Sequence, residues 1–427
     1  MTFMGESTLP RDGPASSAEV TAEQDLECQI QRAWASLIDK TDAIADDISL
    51  TLLEKDREWY DKAGPEMRAD LRASTREHIQ RGILTMAGQP AQGKKAPDVW
   101  RETGRRRARQ GVPMELVLNA YTLGTRVLWE ALLAEGRRKH LGIEDRVLLM
   151  AGQRIWNALD VQNAVLVESY RRESARLQRR DMQRQQSFLD GLVSGRGAEP
   201  DFAREAAETL RVAVDEPVAC VVAPFDESLQ EPLRGPEDRL ERAALVSHWH
   251  VRGGSYFGLV QLSGLGQSGL VDLLAPAAAG RVGVALAKEG IAGFAGAFAL
   301  AARAAQTVPR GATQVVSVND RLPEVLLGAS PEAGALLVEE SIGPLLAQPA
   351  GHTDVLLDTL LALLEHNGSP THAAEALFCH RNTVIYRLKQ IEQLTGRSLQ
   401  SPRDRLLLAL GLIATGRSSR GAAPIHT

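Results

Sequence analysis

With 427 residues, 44% of them hydrophobic and 24% charged, the chain has the composition of a soluble globular protein and the length for roughly two to four domains. A formal net charge of −5 excludes a protein that coats nucleic acid with its whole surface, so any such affinity needs a local basic face. The three cysteines, Cys28, Cys220 and Cys379, are far apart and lack metal-ligand spacing. They fit a reducing cytoplasm without disulfides, and no transmembrane-length run or signal peptide is legible.

Residues 1–22 are rich in Ser, Pro, Gly and Thr and are expected to form a disordered leader. Residues 23–168 show repeated apolar stripes at helical spacing. These are Ile30, Trp34, Leu37 and Ile38; then Ile44, Ile48, Leu52 and Leu53; then Met67, Leu71, Thr75, Ile79 and Leu84. After a loop over Gln89 to Pro97, Val112-Pro113 opens a helix carrying Leu116, Val117, Ala120, Tyr121, Gly124, Leu128 and Leu132. A last helix starts near Glu144. Stripes without strand runs predict a helical bundle. The basic run Arg105, Arg106, Arg107 and Arg109 suits a solvated helix face, with an anionic ligand as the alternative. The stretches Gly104-Arg105-Arg106 through Gln110-Gly111-Val112-Pro113 and Ala120-Tyr121-Thr122-Leu123-Gly124 resemble the RsbRD-type N-terminal domain. That resemblance implies an all-helical sensory or dimerisation module. Residues 169–195 continue the preceding helix as a charged linker, with Leu177, Met182, Phe188, Leu189 and Leu192 as a thin apolar seam and Gly195 and Gly197 ending it.

Residues 196–348 change character. Val218 to Ala223 suits a buried strand. Two apolar-patterned runs, Ala244 to Trp249 and Ser255 to Leu262, flank Arg252-Gly253-Gly254 and predict a hairpin. Arg281 to Ala285 and Gln314 to Val318 are further strands, and Phe294 to Thr307 is a helix, giving an α/β or α+β sheet domain. His248 and His250 share one strand face but have no third ligand in view, so they read as structural. Gly264 to Gly269 matches GxGxxG loosely and is expected to be a loop. The domain order and the hairpin resemble the degenerate GGDEF-like domain of PucR/CdaR-type regulators. An active cyclase of that kind carries an acidic metal-binding pair there. Here the residues are Gly253-Gly254-Ser255-Tyr256-Phe257, and Ser and Tyr cannot replace carboxylates toward a hard cation. No catalytic residue, metal site or cofactor is expected.

Residues 349–417 carry the clearest chemistry. Pro349 to Thr353 reads as a linker, and Leu356, Leu357, Leu360, Leu361 and Leu364 form an amphipathic helix ended by Asn367-Gly368. Ser369 as N-cap and Pro370 at the first position start a short helix to about Phe378. After a turn at Cys379-His380, a second helix begins near Arg381 with the stripe Val384, Leu388 and Ile391, Ile385 on its flank. Left outside are Arg381, Asn382, Thr383, Tyr386, Arg387 and Lys389. A helix that enters the major groove reads bases with its N-terminal residues; Arg suits guanine, Asn adenine, and Thr an edge or a thymine methyl. Thr371 and His372 on the first helix, and Arg397, Arg403 and Arg405 beyond the second, complete the candidate DNA contacts. The alternative is a solvated amphipathic pair. A last helix from Pro402 supplies Leu406, Leu407, Leu410 and Leu412, Arg417 begins a frayed end, and residues 418–427 form a tail.

The run from His380 to Leu412 resembles the C-terminal domain of PucR/CdaR-type transcriptional regulators, whose helix-turn-helix is similar to that of the Fis protein. The matching stretches are Arg381-Asn382-Thr383-Val384, Leu394-Thr395-Gly396 and Pro402-Arg403-Asp404. Phe378 stands where many helix-turn-helix proteins have glycine, which the family tolerates. The fold expected is multidomain: a helical N-terminal bundle, a GGDEF-like α/β (α+β) middle domain and a Fis-like helix-turn-helix. The function expected is a cytoplasmic, sequence-specific regulator that binds double-stranded DNA. It would act as a homodimer or higher oligomer, since one helix spans few base pairs, and would respond to an unidentified small-molecule effector or other signal. The alternative is a stress-signalling scaffold whose helix-turn-helix meets protein.

Overall fold

A computed structural model describes residues 17–89, 93–137, 143–226 and 231–417. Most of the expected leader and all of the expected tail, residues 1–16 and 418–427, lie outside the described residues. The chain divides into two compact units, residues 1–181 and 182–427.

The first unit is helical among its described residues: α1 (Ser17–Ala35), α2 (Thr41–Lys55), α3 (Arg57–Ala63), α4 (Pro65–Met86), α5 (Ala96–Arg109), α6 (Met114–Gly136) and the start of α7 (Asp145–Val193). α1 begins inside the stretch expected to be a leader, so helix replaces disorder from Ser17. The predicted stripes point inward: Trp34, Leu37, Ile48, Leu52 and Leu132 are fully buried, while in α4 Ile83 takes the buried place expected for Leu84. The motif Gln110 to Pro113 is a helix stop. Gly111 adopts φ +68, and the Gly111 and Val112 N–H groups donate to the Ala108 and Arg107 carbonyls at 3.1 Å each. This is the paired closure that satisfies the last carbonyls of a helix, with Pro113 blocking its continuation. Gly104 lets α5 approach α7: a Cβ there would lie 2.7 Å from the Leu166 carbonyl oxygen.

Arg105 and Arg109 of the basic run are exposed, as a solvated face requires, but the run departs from that face at Arg106 and Arg107. Arg107 is buried and donates to Asp70 Oδ2 at 2.5 Å and Gln110 Oε1 at 2.9 Å. Arg106 donates to Ser74 Oγ at 3.0 Å, and Arg109 to Glu173 Oε1 at 2.7 Å. Burial of Asp70 works against its charge, but Arg107, Gln110 and Arg106 outweigh it and hold the carboxyl below its usual range. The guanidiniums clamp helices together, because a carboxylate in a low-dielectric setting needs such partners.

In the second unit a five-stranded sheet has the order β2-β3-β1-β4-β5. The elements are α8 (Pro200–Leu210), β1 (Val218–Pro224), α9 (Pro236–Arg242), β2 (Ser247–Arg252), β3 (Ser255–Gln261), α10 (Gln267–Leu274), β4 (Arg281–Ala287), α11 (Phe294–Gln306), β5 (Gln314–Ser317) and α12 (Leu322–Gly328). β1 pairs antiparallel with β3 and β4, and β5 joins β4 in parallel. β1 is buried on both faces. Val218, Cys220 and Val222 meet α8 and α11, while Ala219, Val221 and Ala223 meet Leu240 and Leu274 on the other side. That is why Val218 to Ala223 is a continuous apolar run. The loop read at Gly264 to Gly269 holds a helix start instead: Gly266 is the N-cap of α10.

The C-terminal helices are α13 (Pro331–Leu346), α14 (Ala350–Glu365), α15 (Pro370–Ala376), α16 (Arg381–Thr395) and α17 (Pro402–Ala414). Pro349 to Thr353 is not a linker, since Pro349 caps α14. α13, absent from the sequence reading, belongs to this helical core: Ile342 and Leu345 pack with Leu356, Leu360, Val384, Ile391, Leu408 and Leu412. α17 rotates relative to expectation. Leu408 and Leu412 are buried, whereas Leu406 is 59% exposed. Arg417 is held by Asp354 and by Asp358 at 2.8 Å, so the chain is tied there rather than frayed.

Candidate nucleic-acid interface

Two local devices place α16. The Ser369 hydroxyl accepts the His372 N–H at 3.4 Å and so caps α15. The His380 ring, through Nδ1, accepts the Asn382 N–H at 3.2 Å and caps α16. The first cap was legible; the second was not, because histidine is an uncommon cap. Ala373 and Ala374 are buried under α16, and their small side chains allow the close crossing. Val384 and Ile391 are fully buried and Leu388 packs beside them, as the stripe predicts.

The turn is wider than Cys379-His380. Phe378 takes φ +49, and the Phe378 and Cys379 N–H groups donate to the Glu375 and Ala374 carbonyls at 3.3 and 3.0 Å. Phe378 therefore occupies the left-handed position that glycine usually fills at a helix end. Its ring is 97% exposed.

Arg381, Asn382, Tyr386 and Lys389 are exposed on α16, and Thr383 is half-buried. Thr371 and His372 are exposed on α15, and Arg403 and Arg405 are exposed on α17. Two expected contacts are placed differently. Arg387 is half-buried, and its Nη1 donates to Thr359 Oγ1 on α14 at 3.4 Å. Arg397 donates to the Glu340 carbonyl at 2.8 Å through Nη2 and lies 3.4 Å from Asp404 Oδ1. It locks the α16–α17 corner to α13, because its donors are already engaged. Asp404 also accepts the Ser398 N–H at 3.3 Å. That bond first, then Ser401 and Arg397, outweigh burial and hold its carboxyl below the usual range.

In the sheet domain, Gly253 and Gly254 have φ +55 and +75 and make the two-residue turn of the β2–β3 hairpin. At the positions where an acidic pair would bind metal, Ser255 and Tyr256 are half-buried. The Tyr256 hydroxyl donates to Glu237 Oε1 at 2.7 Å, and its ring stacks on Trp249 at 5.1 Å. His248 Nε2 lies 2.5 Å from the Leu210 carbonyl, and His250 Nε2 lies 3.4 Å from Asp190. Burial lowers the pKa of His248. Among the described residues no group of three His, Cys, Asp or Glu could hold a metal, and no helix is long and apolar enough to cross a membrane.

Family models match three segments. Residues 42–185 match the RsbT co-antagonist protein RsbRD N-terminal domain, residues 194–307 a GGDEF-like domain, and residues 356–414 the PucR C-terminal helix-turn-helix domain. An uncharacterized protein of Mycobacterium tuberculosis is 40% identical over 99 residues, 23% of each chain. The carbohydrate diacid regulator of Escherichia coli is 48% identical over 58 residues, 14% of this chain and 15% of the regulator. The purine catabolism regulatory protein of Bacillus subtilis is 42% identical over 67 residues, 16% of this chain and 13% of that protein. The chain thus spans under a quarter of the length of these relatives. The crystal structure of a regulator of polyketide synthase expression from Bifidobacterium adolescentis covers 54% of this chain and 96% of its own, with 18% identity and a TM-score of 0.28. In order along its length, the chain thus carries an RsbRD N-terminal domain, a GGDEF-like middle domain and a PucR C-terminal helix-turn-helix domain.

Proposed function

We propose that this chain is a cytoplasmic transcriptional regulator that reads double-stranded DNA with α16 and does no chemistry of its own. The observation that carries the reading is the division of α16. Val384 and Ile391 anchor it, while Arg381, Asn382, Tyr386 and Lys389 stand exposed from its first turns onward. Arg381 and Asn382 are suited to base edges, and Thr383 and Tyr386 to edges or backbone. Thr371, His372, Lys389 and Arg403 are suited to phosphates. Arg387 and Arg397, engaged with Thr359 and Glu340, position the reading helix. Two copies are needed for useful specificity, since a single helix contacts few base pairs. The RsbRD and GGDEF-like domains supply or relay the signal. The regulator names carried by the Escherichia coli and Bacillus subtilis relatives agree with this role.

The test is genome-wide mapping of bound DNA, followed by fluorescence polarisation on a recovered fragment. Arg381→Ala and Asn382→Ala should each weaken binding by about 1–3 kcal/mol and relax base preference at one position. Unchanged binding by both variants refutes the assignment. A scaffold role is favoured by one observation, the exposed ring of Phe378 beside α16, which suits a protein contact. That reading requires that no fragment bind with salt-sensitive affinity.

A further inference from the structure

The helical N-terminal domain holds a partly open cavity of about 210 Å³ that no feature of the DNA-reading role uses. Native cores hold few voids larger than a water molecule, and an apolar void of about 150 Å³ accepts benzene. Much of the wall is apolar, with Trp34, Leu52, Leu128 and Ile155 among its residues. The polar wall groups include His78, Thr103, Tyr121 and Gln162.

Two of them, His78 and Thr103, are hydrogen-bonded to one another. The Ser74 carbonyl can only accept, so His78 Nδ1 carries the proton and donates to it at 2.7 Å. Burial, the largest influence on this imidazole, favours its neutral form. His78 Nε2 is then the acceptor for the Thr103 hydroxyl, 3.2 Å away. The rings of His78 and Tyr121 meet edge-on at 5.5 Å, and the Tyr121 hydroxyl stands at the cavity wall with Thr103 and Gln162. Both His78 and Tyr121 lie deep in the bundle yet keep accessible surface, as expected of groups beside a cavity. Arg107 and Arg81 also line it, Arg107 paired with Asp70 at 2.5 Å and Arg81 with Glu77 at 3.5 Å. The wall therefore offers a phenol hydroxyl, and each of its two guanidiniums already has a carboxylate partner, a combination that selects a neutral guest, since burying an unpaired ion is expensive.

We infer that the N-terminal domain is a receptor for a neutral, single-ring-sized apolar molecule bearing one hydroxyl, which hydrogen-bonds with Tyr121 Oη. This gives chemical content to the sensory role proposed above and rests on it for its biological meaning. Binding is measured without DNA, so failure here leaves DNA recognition standing, and the reverse holds.

The experiment is calorimetric titration and thermal shift on the full chain with p-cresol, toluene and benzoate. Expected are saturable binding of p-cresol, at least tenfold weaker binding of toluene and no binding of benzoate. Tyr121→Phe should bring p-cresol and toluene within about twofold of one another. A Cβ at Gly124 meets only Ile79 and Ile48 side chains, at 3.7 and 3.9 Å, so Gly124→Leu should fill the space and abolish binding of both while the protein still melts cooperatively. If Gly124→Leu does not fold, the Tyr121→Phe comparison decides. No binding of either p-cresol or toluene at millimolar concentration overturns the inference. So does a p-cresol preference that survives Tyr121→Phe, or wild-type binding by folded Gly124→Leu.

Discussion

Gly283 and Gly296 make a matched pair of substitutions with opposite expected signs. Gly283 lies within β4, paired to Val222 on β1 and Val316 on β5, so the strand cannot slide to make room. A Cβ there would sit 2.0 Å from the Ala301 carbonyl oxygen and 2.7 Å from the Ala305 nitrogen of α11. Carbon and oxygen in contact prefer about 3.3 Å or more, so α11 would have to retreat by roughly 1 Å. That movement loosens the seats of Phe294, Ala297, Ala301 and Ala304, all buried in the same core. Overpacking typically costs about 1–3 kcal/mol, and a clash with backbone, which has no rotamer to escape into, belongs at or above the upper end. Gly296 on α11 has nothing within 4 Å of its added Cβ and is exposed. Gly296→Ala should stabilise by about 0.5 kcal/mol through helix propensity. Urea titrations of the two variants and the wild type, followed by far-ultraviolet circular dichroism, measure both. If Gly283→Ala unfolds within about 0.5 kcal/mol of wild type, α11 is not seated on β4 as described.

Arg403→Gln should weaken binding to all DNA fragments alike and lower the slope of log affinity against log salt by about one, measured by polarisation across salt concentrations. Ser369→Ala should destabilise the C-terminal helices by up to about 1 kcal/mol, read as an earlier urea transition. Asp404 has a folded-state pKa below its unfolded value, so its stabilisation is complete above about pH 4 and is lost as pH falls through the folded value. Asp404→Asn should therefore lower stability at neutral pH and flatten the acid limb of melting temperature against pH. An acid limb unchanged in Asp404→Asn would show that the Ser398 contact does not form.

The elements that were legible in the sequence announce themselves locally. Ser369-Pro370 and the alternation of Val384 and Ile391 with charged residues need no knowledge of the rest of the chain, and both α15 and α16 begin where those signals say. The β2–β3 hairpin follows equally from its glycine pair. What was not legible depends on distant partners. Arg107 reads as solvated until Asp70, 37 residues earlier, is brought to it. Arg397 reads as a phosphate contact until the Glu340 carbonyl meets it. α13 is apolar on several sides and so gives no clear period, yet its Ile342 and Leu345 are core. Phe378 hides its role for another reason: a left-handed position normally declares itself by glycine, and a phenylalanine there looks like the end of a helix.

The α13–α17 contact has a consequence for how the helix-turn-helix can move. At Gly411 the two helices approach so closely that an added Cβ would lie 2.3 Å from Ser341 Oγ and 3.3 Å from Ile342. Such a joint behaves as a keyed fitting and not as a swivel. The helix-turn-helix is geared to the helix that precedes it, so a displacement of α13 would turn it as well. A fragment cut at residue 350 would leave its key behind.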